Sequence, residues 1–224
     1  MITCLNLISG CIACVMAFND DYLWALIFII IAAVFDFFDG FSARLLKAYS
    51  NIGKELDSLA DMVSFGVAPG MIIFVFLRNL LLVHYPFSEI SYIACLAFLI
   101  PAFSALRLAK FNIDERQTTS FIGLPTPADA LFWSSLVFYL SYLNIEPLYL
   151  IVGIVVCIFL FSYLMISEIP MFSLKFKNYG WKGNEARYIL VLITLLLFAF
   201  FNLSGISITI VVYILMSLFI RDRH

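Results

Sequence analysis

Apolar runs follow one another along most of this chain, and with the polar breaks between them they mark out about eight helices near residues 2–18, 22–46, 56–80, 90–112, 125–143, 147–167, 187–202 and 205–220. A helix needs about 20 apolar residues to cross a hydrocarbon core of about 30 Å. Several of these runs are nearer 16, so the last pair reads as a hairpin that spans imperfectly. The expected fold class is an all-α, polytopic bundle of membrane helices. Composition agrees, since 64% apolar residues, 12% charged residues and 24 phenylalanines exceed what a soluble domain carries. A formal charge of −2 with scattered basic residues excludes nucleic acid as a partner.

Short loops rich in Lys and Arg stay in the cytoplasm, which orients the bundle. With the amino terminus inside, alternate connections hold Arg44, Lys47 and Lys54, then Arg107, Lys110 and Arg116, then Lys175, Lys177, Lys182 and Arg187, then Arg221 and Arg223. That puts 12 of the 13 basic residues inside and only Arg78 outside. An even helix number follows, with both termini cytosolic, in a multi-pass protein of the cytoplasmic (inner) membrane. The first apolar run starts at Ile2 without a basic leader and reads as a retained helix. No repeat or second domain is visible, so residues 1–224 are read as one membrane-embedded domain.

Against this background four aspartates stand out: Asp36, Asp39, Asp57 and Asp61, within 26 residues. A carboxylate at membrane depth costs roughly 2.5–3.5 kcal/mol on insertion scales, so four of them need a counter-charge. Asp36 and Asp39 are three apart and Asp57 and Asp61 four apart, so on two helices each pair projects from one face. Two such faces opposed form a carboxylate box, with the stretch from Leu45 to Ile52 turning the chain back into the membrane. Hard oxygen donors select Mg²⁺, Mn²⁺ or Ca²⁺ over zinc, for which only His84 and His224 are available elsewhere. A pair of divalent ions about 3.5–4 Å apart would neutralise the box and clamp a diphosphate. Gly40 leaves room for a ligand's approach, and Arg44 offers a fork suited to phosphate. The bland readings are an intramembrane ion-pair cluster and a cation pathway without chemistry.

The five cysteines lie in apolar runs, and Cys11-Ile-Ala-Cys14 lacks a second pair or nearby histidine, so they read as small apolar fillers. Trp24, Trp133, Tyr22 and Tyr142 suit interfacial belts.

The run D-x2-D-G-x2-A-R-x8-G-x3-D-x3-D resembles the motif of the CDP-alcohol phosphatidyltransferases, each fixed position being filled by Asp36, Asp39, Gly40, Ala43, Arg44, Gly53, Asp57 and Asp61. The resemblance implies a six-helix membrane core, here with two additional C-terminal helices near 187–220, often as a homodimer among membrane lipids. It implies transfer of a lipid phosphate from a CDP-linked lipid to an alcohol, with CMP leaving. It also implies divalent metal, Mg²⁺ or Mn²⁺ and two ions, on Asp36, Asp39, Asp57 and Asp61, with Asp61 the candidate base. The implied CDP-binding set is Asn6, Asp36, Gly40, Ala43, Arg44, Gly53, Asp57 and Ser64.

Three further stretches are similar to bacterial and archaeal phosphatidylserine synthases: Arg107-Leu-Ala-Lys110-Phe-Asn112, Phe121-Ile-Gly-Leu-Pro-Thr-Pro-Ala128, and Ser64-Phe-Gly-Val-Ala-Pro69. So are Asn6 and Gly10 in the first helix. This points to CDP-diacylglycerol and L-serine as substrates. Serine is a zwitterion, needing a cation for its carboxylate and acceptors for its ammonium. Arg107, Lys110 and Asn112 are available at a cytosolic helix end, and Asp129 could meet the ammonium. Equally, Arg107 and Lys110 could anchor their helix at the headgroups or hold lipid phosphate, and Asp129 could complement a helix dipole behind Pro125 and Pro127. Glycerol 3-phosphate and inositol phosphate remain alternative acceptors, although each calls for several convergent basic side chains.

Overall fold

A computed structural model describes residues 2–46, 50–85, 89–114, 121–171, 180–181 and 184–219. Lys47, Arg116, Lys175, Lys177, Lys182, Arg221, Arg223 and His224, which entered the reading above, lie outside the described residues. The described residues form nine α-helices: α1 (Ile2–Phe18), α2 (Tyr22–Leu46), α3 (Asn51–Asp61), α4 (Ala68–His84), α5 (Leu99–Ile113), α6 (Thr126–Leu140), α7 (Pro147–Ile166), α8 (Glu185–Phe201) and α9 (Gly205–Phe219). A π-helical turn, Met62–Val67, joins α3 to α4, and a 3-10 segment, Glu89–Phe98, leads into α5. The polytopic all-α reading holds. Among the described residues five stretches are long and apolar enough to cross a membrane: Tyr22–Leu45, Ile52–His84, Tyr92–Ile113, Pro147–Ile166 and Glu185–Phe219, with Ile2–Phe18 shorter. The last is folded in two at Asn202, whose φ of 51° breaks the helix between α8 and α9.

The third rod starts earlier than expected from hydropathy. Ser50 caps α3, its hydroxyl accepting from the Gly53 N–H at 3.0 Å, so the polar run Asn51–Glu55 is helical. This keeps the two later aspartates well inside a helix.

Small residues let α1 lie close against α2: Ala13, Ala17, Ala25 and Ala32 are all buried there. The turn between these helices places Asp20 at φ 59°, a conformation Asp tolerates, and the Asp21 carboxylate accepts the Trp24 N–H to start α2. Gly10 faces the π turn so closely that a Cβ there would lie 2.6 Å from the Ser64 Cα.

Two of the expected belt residues are instead packed inside. Trp133 is fully buried, because α6 is covered by α2, α4 and α9, and its indole meets the Phe161 ring edge-on at 5.7 Å. Tyr22 turns inward onto Phe76 and donates its hydroxyl proton to Asp20 at 2.8 Å. Trp24 and Tyr142 stay exposed, as belts require.

Among the described residues one short strand pairing occurs, Phe121–Ile122 (β1) against Pro170–Met171 (β2), antiparallel. It stitches the entry to α6 onto the end of α7. The Gly123 N–H continues it, donating to the Ile169 carbonyl at 2.9 Å, and Leu124 donates to Leu164 at 3.0 Å. Gly123 sits at φ +75°, and a Cβ there would meet the Met165 carbonyl at 2.6 Å, so both conformation and space demand glycine.

Candidate active site

Asp36 on α2 and Asp57 and Asp61 on α3 meet where the two helices approach, and one oxygen from each lies within 4.8 Å of the others. Among the described residues no Lys or Arg is in salt-bridge contact with any of the three. Three ionised carboxylates at that spacing repel by roughly 3 kcal/mol per pair at an effective dielectric constant of about 20. An isolated surface lysine could not offset that sum, whereas a divalent ion with hard oxygen ligands could. The donor set, all oxygen and partly buried, fits Mg²⁺ or Mn²⁺ and gives nothing to zinc.

Helix α1 holds the acids in place. The Asn6 side-chain amide, fully buried, donates to Asp61 Oδ1 at 3.0 Å. The Asn6 carbonyl in turn accepts from the Ser64 hydroxyl at 2.9 Å. Thr3, one turn earlier, donates to Asp39 Oδ2. Thr3, Asn6 and Gly10 are spaced three and four apart, which puts them on one face of α1. Thr3 was not anticipated as a site residue, although that spacing was there to find. The π turn begins directly after Asp61, and its extra residue aims Ser64 back at α1.

Two cavities flank the acids. The larger, about 440 Å³, is bordered by Asp39, Gly40, Ala43, Arg44, Gly53 and Asp57. A side chain at Gly40 would meet no protein atom within 4 Å, so the space it leaves belongs to the cavity. The smaller, about 290 Å³, is bordered by Asp36, Asp57, Asp61, Arg107 and Asn112, with Pro125 to Pro127 as its far wall. Asp57 and Lys54 line both cavities.

Arg107 is buried and held from several sides. Its Nε donates to the Leu124 carbonyl at 2.6 Å, its guanidinium lies 5.6 Å from the centre of the Phe111 ring, and Tyr213 of α9 is within electrostatic reach. The pairing of β1 with β2 thus fixes the carbonyl that fixes Arg107. Asn112 donates to the Ser58 hydroxyl at 2.8 Å, tying α5 to α3.

The structure therefore gathers Asp36, Asp57 and Asp61 into one cluster, with Asp39, Gly40, Ala43, Arg44 and Gly53 around one cavity and Arg107 and Asn112 around the other. Asn6 and Ser64 lie behind the acids, fully buried, and support them without lining either cavity. Lys110 lines neither cavity: its ammonium lies 3.7 Å from Glu168 beyond the end of α7. Asp129 lines neither cavity as well, being fully buried on α6 beside Trp133. The Cys11 and Cys14 pair gathers no third ligand among the described residues.

Comparison with known proteins gives this geometry a family. Residues 1–220 match the family model described as CDP-alcohol phosphatidyltransferase. A CDP-diacylglycerol–serine O-phosphatidyltransferase of Bacillus subtilis is 38% identical over 169 residues, covering 75% of this chain and 86% of its own length. One of the same name from Helicobacter pylori strain J99 is 33% identical over 222 residues, covering 96% of this chain and 86% of its own. A third, from Methanocaldococcus jannaschii, is 39% identical over 132 residues, or 58% of this chain and 55% of its own. An acid cluster between two cavities, carried on helices that match this model along nearly their whole length, leads to one conclusion: the chain belongs to the CDP-alcohol phosphatidyltransferase family.

Proposed function

We propose that this chain transfers the phosphatidyl group of CDP-diacylglycerol to the hydroxyl of L-serine, giving phosphatidylserine and CMP in phospholipid biosynthesis. The names of the relatives support the reaction. The observation that carries the site assignment is that one acid cluster borders two separate cavities, as a transfer between two substrates requires.

The larger cavity suits the nucleotide. Arg44 gives a bidentate donor for phosphate, and Gly40 and Ala43 leave room for the base and sugar. The smaller suits serine, with the Arg107 guanidinium for its carboxylate and the Asp36 and Asp61 acids toward its ammonium and hydroxyl. Asp36, Asp57 and Asp61, with Asp39 alongside, would hold two divalent ions, Mg²⁺ or Mn²⁺, which would supply positive charge to the diphosphate. Asn6 binds one oxygen of Asp61 and so orients the carboxylate that takes the proton. The serine oxygen forms a bond to the phosphorus bearing diacylglycerol as the bond from that phosphorus to the bridging oxygen breaks. The electron pair leaves on CMP, and the serine proton passes to Asp61.

The cytosolic facing of this site, its residence in the cytoplasmic membrane and a homodimeric state are parts of the same reading. They are supported by the skew of basic residues toward the Arg44, Arg107 and Arg187 connections and, for the dimer, by the family. Phosphorylated acceptors are less favoured, since among the described residues Arg107 and Lys54 are the basic side chains around the smaller cavity.

Purified protein should release CMP from CDP-diacylglycerol with L-serine and far less with glycerol 3-phosphate or inositol phosphate. Arg107→Ala should raise the serine KM about 10- to 100-fold, the worth of a charge-assisted hydrogen bond, and the CDP-diacylglycerol KM by less than about threefold. An equal rise for both substrates would show that Arg107 does not bind the acceptor. Absence of CMP release with any alcohol would remove the transferase reading and favour a cation pathway.

A further inference from the structure

We propose that Lys54 is a catalytic cation of the transfer, stabilising the negative charge on the migrating phosphoryl group from the junction of the two cavities. The inference rests on the reading above and extends it to a residue outside the eight-position motif.

Lys54 lies at the amino end of α3, three residues before Asp57 and seven before Asp61, on the same face of the helix. Among the described lining residues it shares with Asp57 alone the property of bordering both cavities. A phosphoryl group passing from a nucleotide in one cavity to an alcohol in the other must cross that junction. Its transition state spreads charge over the oxygens that are neither attacking nor leaving, which is where donors are most effective.

The Lys54 ammonium donates to the Asn112 carbonyl at 3.0 Å, across from α3 to the end of α5. An ammonium carries three donors, so this contact leaves two for phosphate oxygens. Its four-carbon stem allows a small reach without moving the helix. Asn112 is itself tied to Ser58 at 2.8 Å, so the lysine is steadied at the mouth of the acceptor cavity. Lys54 takes no part in the proton transfer: the bond from serine oxygen to phosphorus forms, the bond from phosphorus to the CMP oxygen breaks, and the proton goes to Asp61.

The competing role is a helix cap, since Lys54 satisfies a carbonyl in the last turn of α5. Glutamine can do that without charge, which separates the two roles. Steady-state CMP release should be measured for wild type, Lys54→Gln and Lys54→Arg with CDP-diacylglycerol and L-serine varied in turn. Lys54→Gln should lose about 100-fold in kcat, as removal of one transition-state donor does, with both KM values within about threefold. Lys54→Arg should recover at least about a tenth of the wild-type rate. A Lys54→Gln enzyme within twofold of wild type in kcat, or one changed only in serine KM, would overturn the inference while leaving the serine transfer intact. A wild-type protein that releases no CMP would take both readings down together.

Discussion

Asp61→Asn should lower CMP release by roughly 10³-fold while CDP-diacylglycerol binding stays measurable. The substitution is nearly isosteric, and an asparagine oxygen can still accept the Asn6 amide now 3.0 Å from Asp61, so α1 and α3 should remain joined. What is lost is a charge in the three-acid cluster and the group that takes the serine proton. A positioned base is worth about 10²–10⁴ in rate, and removing a metal ligand adds to that. Equilibrium binding of the CDP-lipid and single-turnover CMP release would be measured on the same preparation. Activity within tenfold of wild type would remove Asp61 from the role of base.

Gly10→Ala is expected to lower both the stability of the bundle and the activity of the site. The new Cβ would lie 2.4 Å from the Ser64 hydroxyl oxygen and 2.6 Å from its Cα, and a backbone atom cannot rotate away. Alanine gains about 0.5–1 kcal/mol over glycine within a helix, whereas overpacking costs about 1–3 kcal/mol and more where backbone must shift. The clash wins, with a net loss of about 2 kcal/mol. It also pushes α1 off the π turn and moves Asn6 away from Asp61, so turnover should fall along with thermal stability in detergent. Gly153→Ala is the control, since nothing lies within 4 Å of a Cβ there and its stability should match or exceed wild type. A Gly10→Ala protein as stable and as active as wild type would show that this contact does not hold the site.

Part of this site was legible in the chain itself. Helical spacing alone puts Asp57 and Asp61 on one face and Asp36 one turn from Asp39, and charged groups in an apolar setting announce themselves. The same spacing marks Asp39 as a fourth member of the box, but the acids that close within 4.8 Å of one another are Asp36, Asp57 and Asp61; what the chain hid is Thr3, the partner of Asp39 on α1, because a threonine in an apolar helix carries no charge to mark it. Arg107 and Lys110 look alike in sequence, three apart at a helix end. One is drawn inward by the Leu124 carbonyl and Phe111, and the other outward by Glu168, and both outcomes depend on segments far along the chain. Trp133 resembles a belt residue until α6 is known to be covered by α2, α4 and α9. The π turn after Asp61 and the β1–β2 clasp arise from tertiary contacts, although Gly123 at φ +75° marks where the clasp must turn.

Divalent metal held among Asp36, Asp57 and Asp61 is tested without reference to turnover by Mn²⁺ binding followed by electron paramagnetic resonance. Titrating the purified protein in detergent should show saturable Mn²⁺ binding that Mg²⁺ displaces and that Asp57→Asn weakens by at least about tenfold, as loss of a charged ligand should. Binding that never saturates, or that Asp57→Asn leaves unchanged, would contradict it.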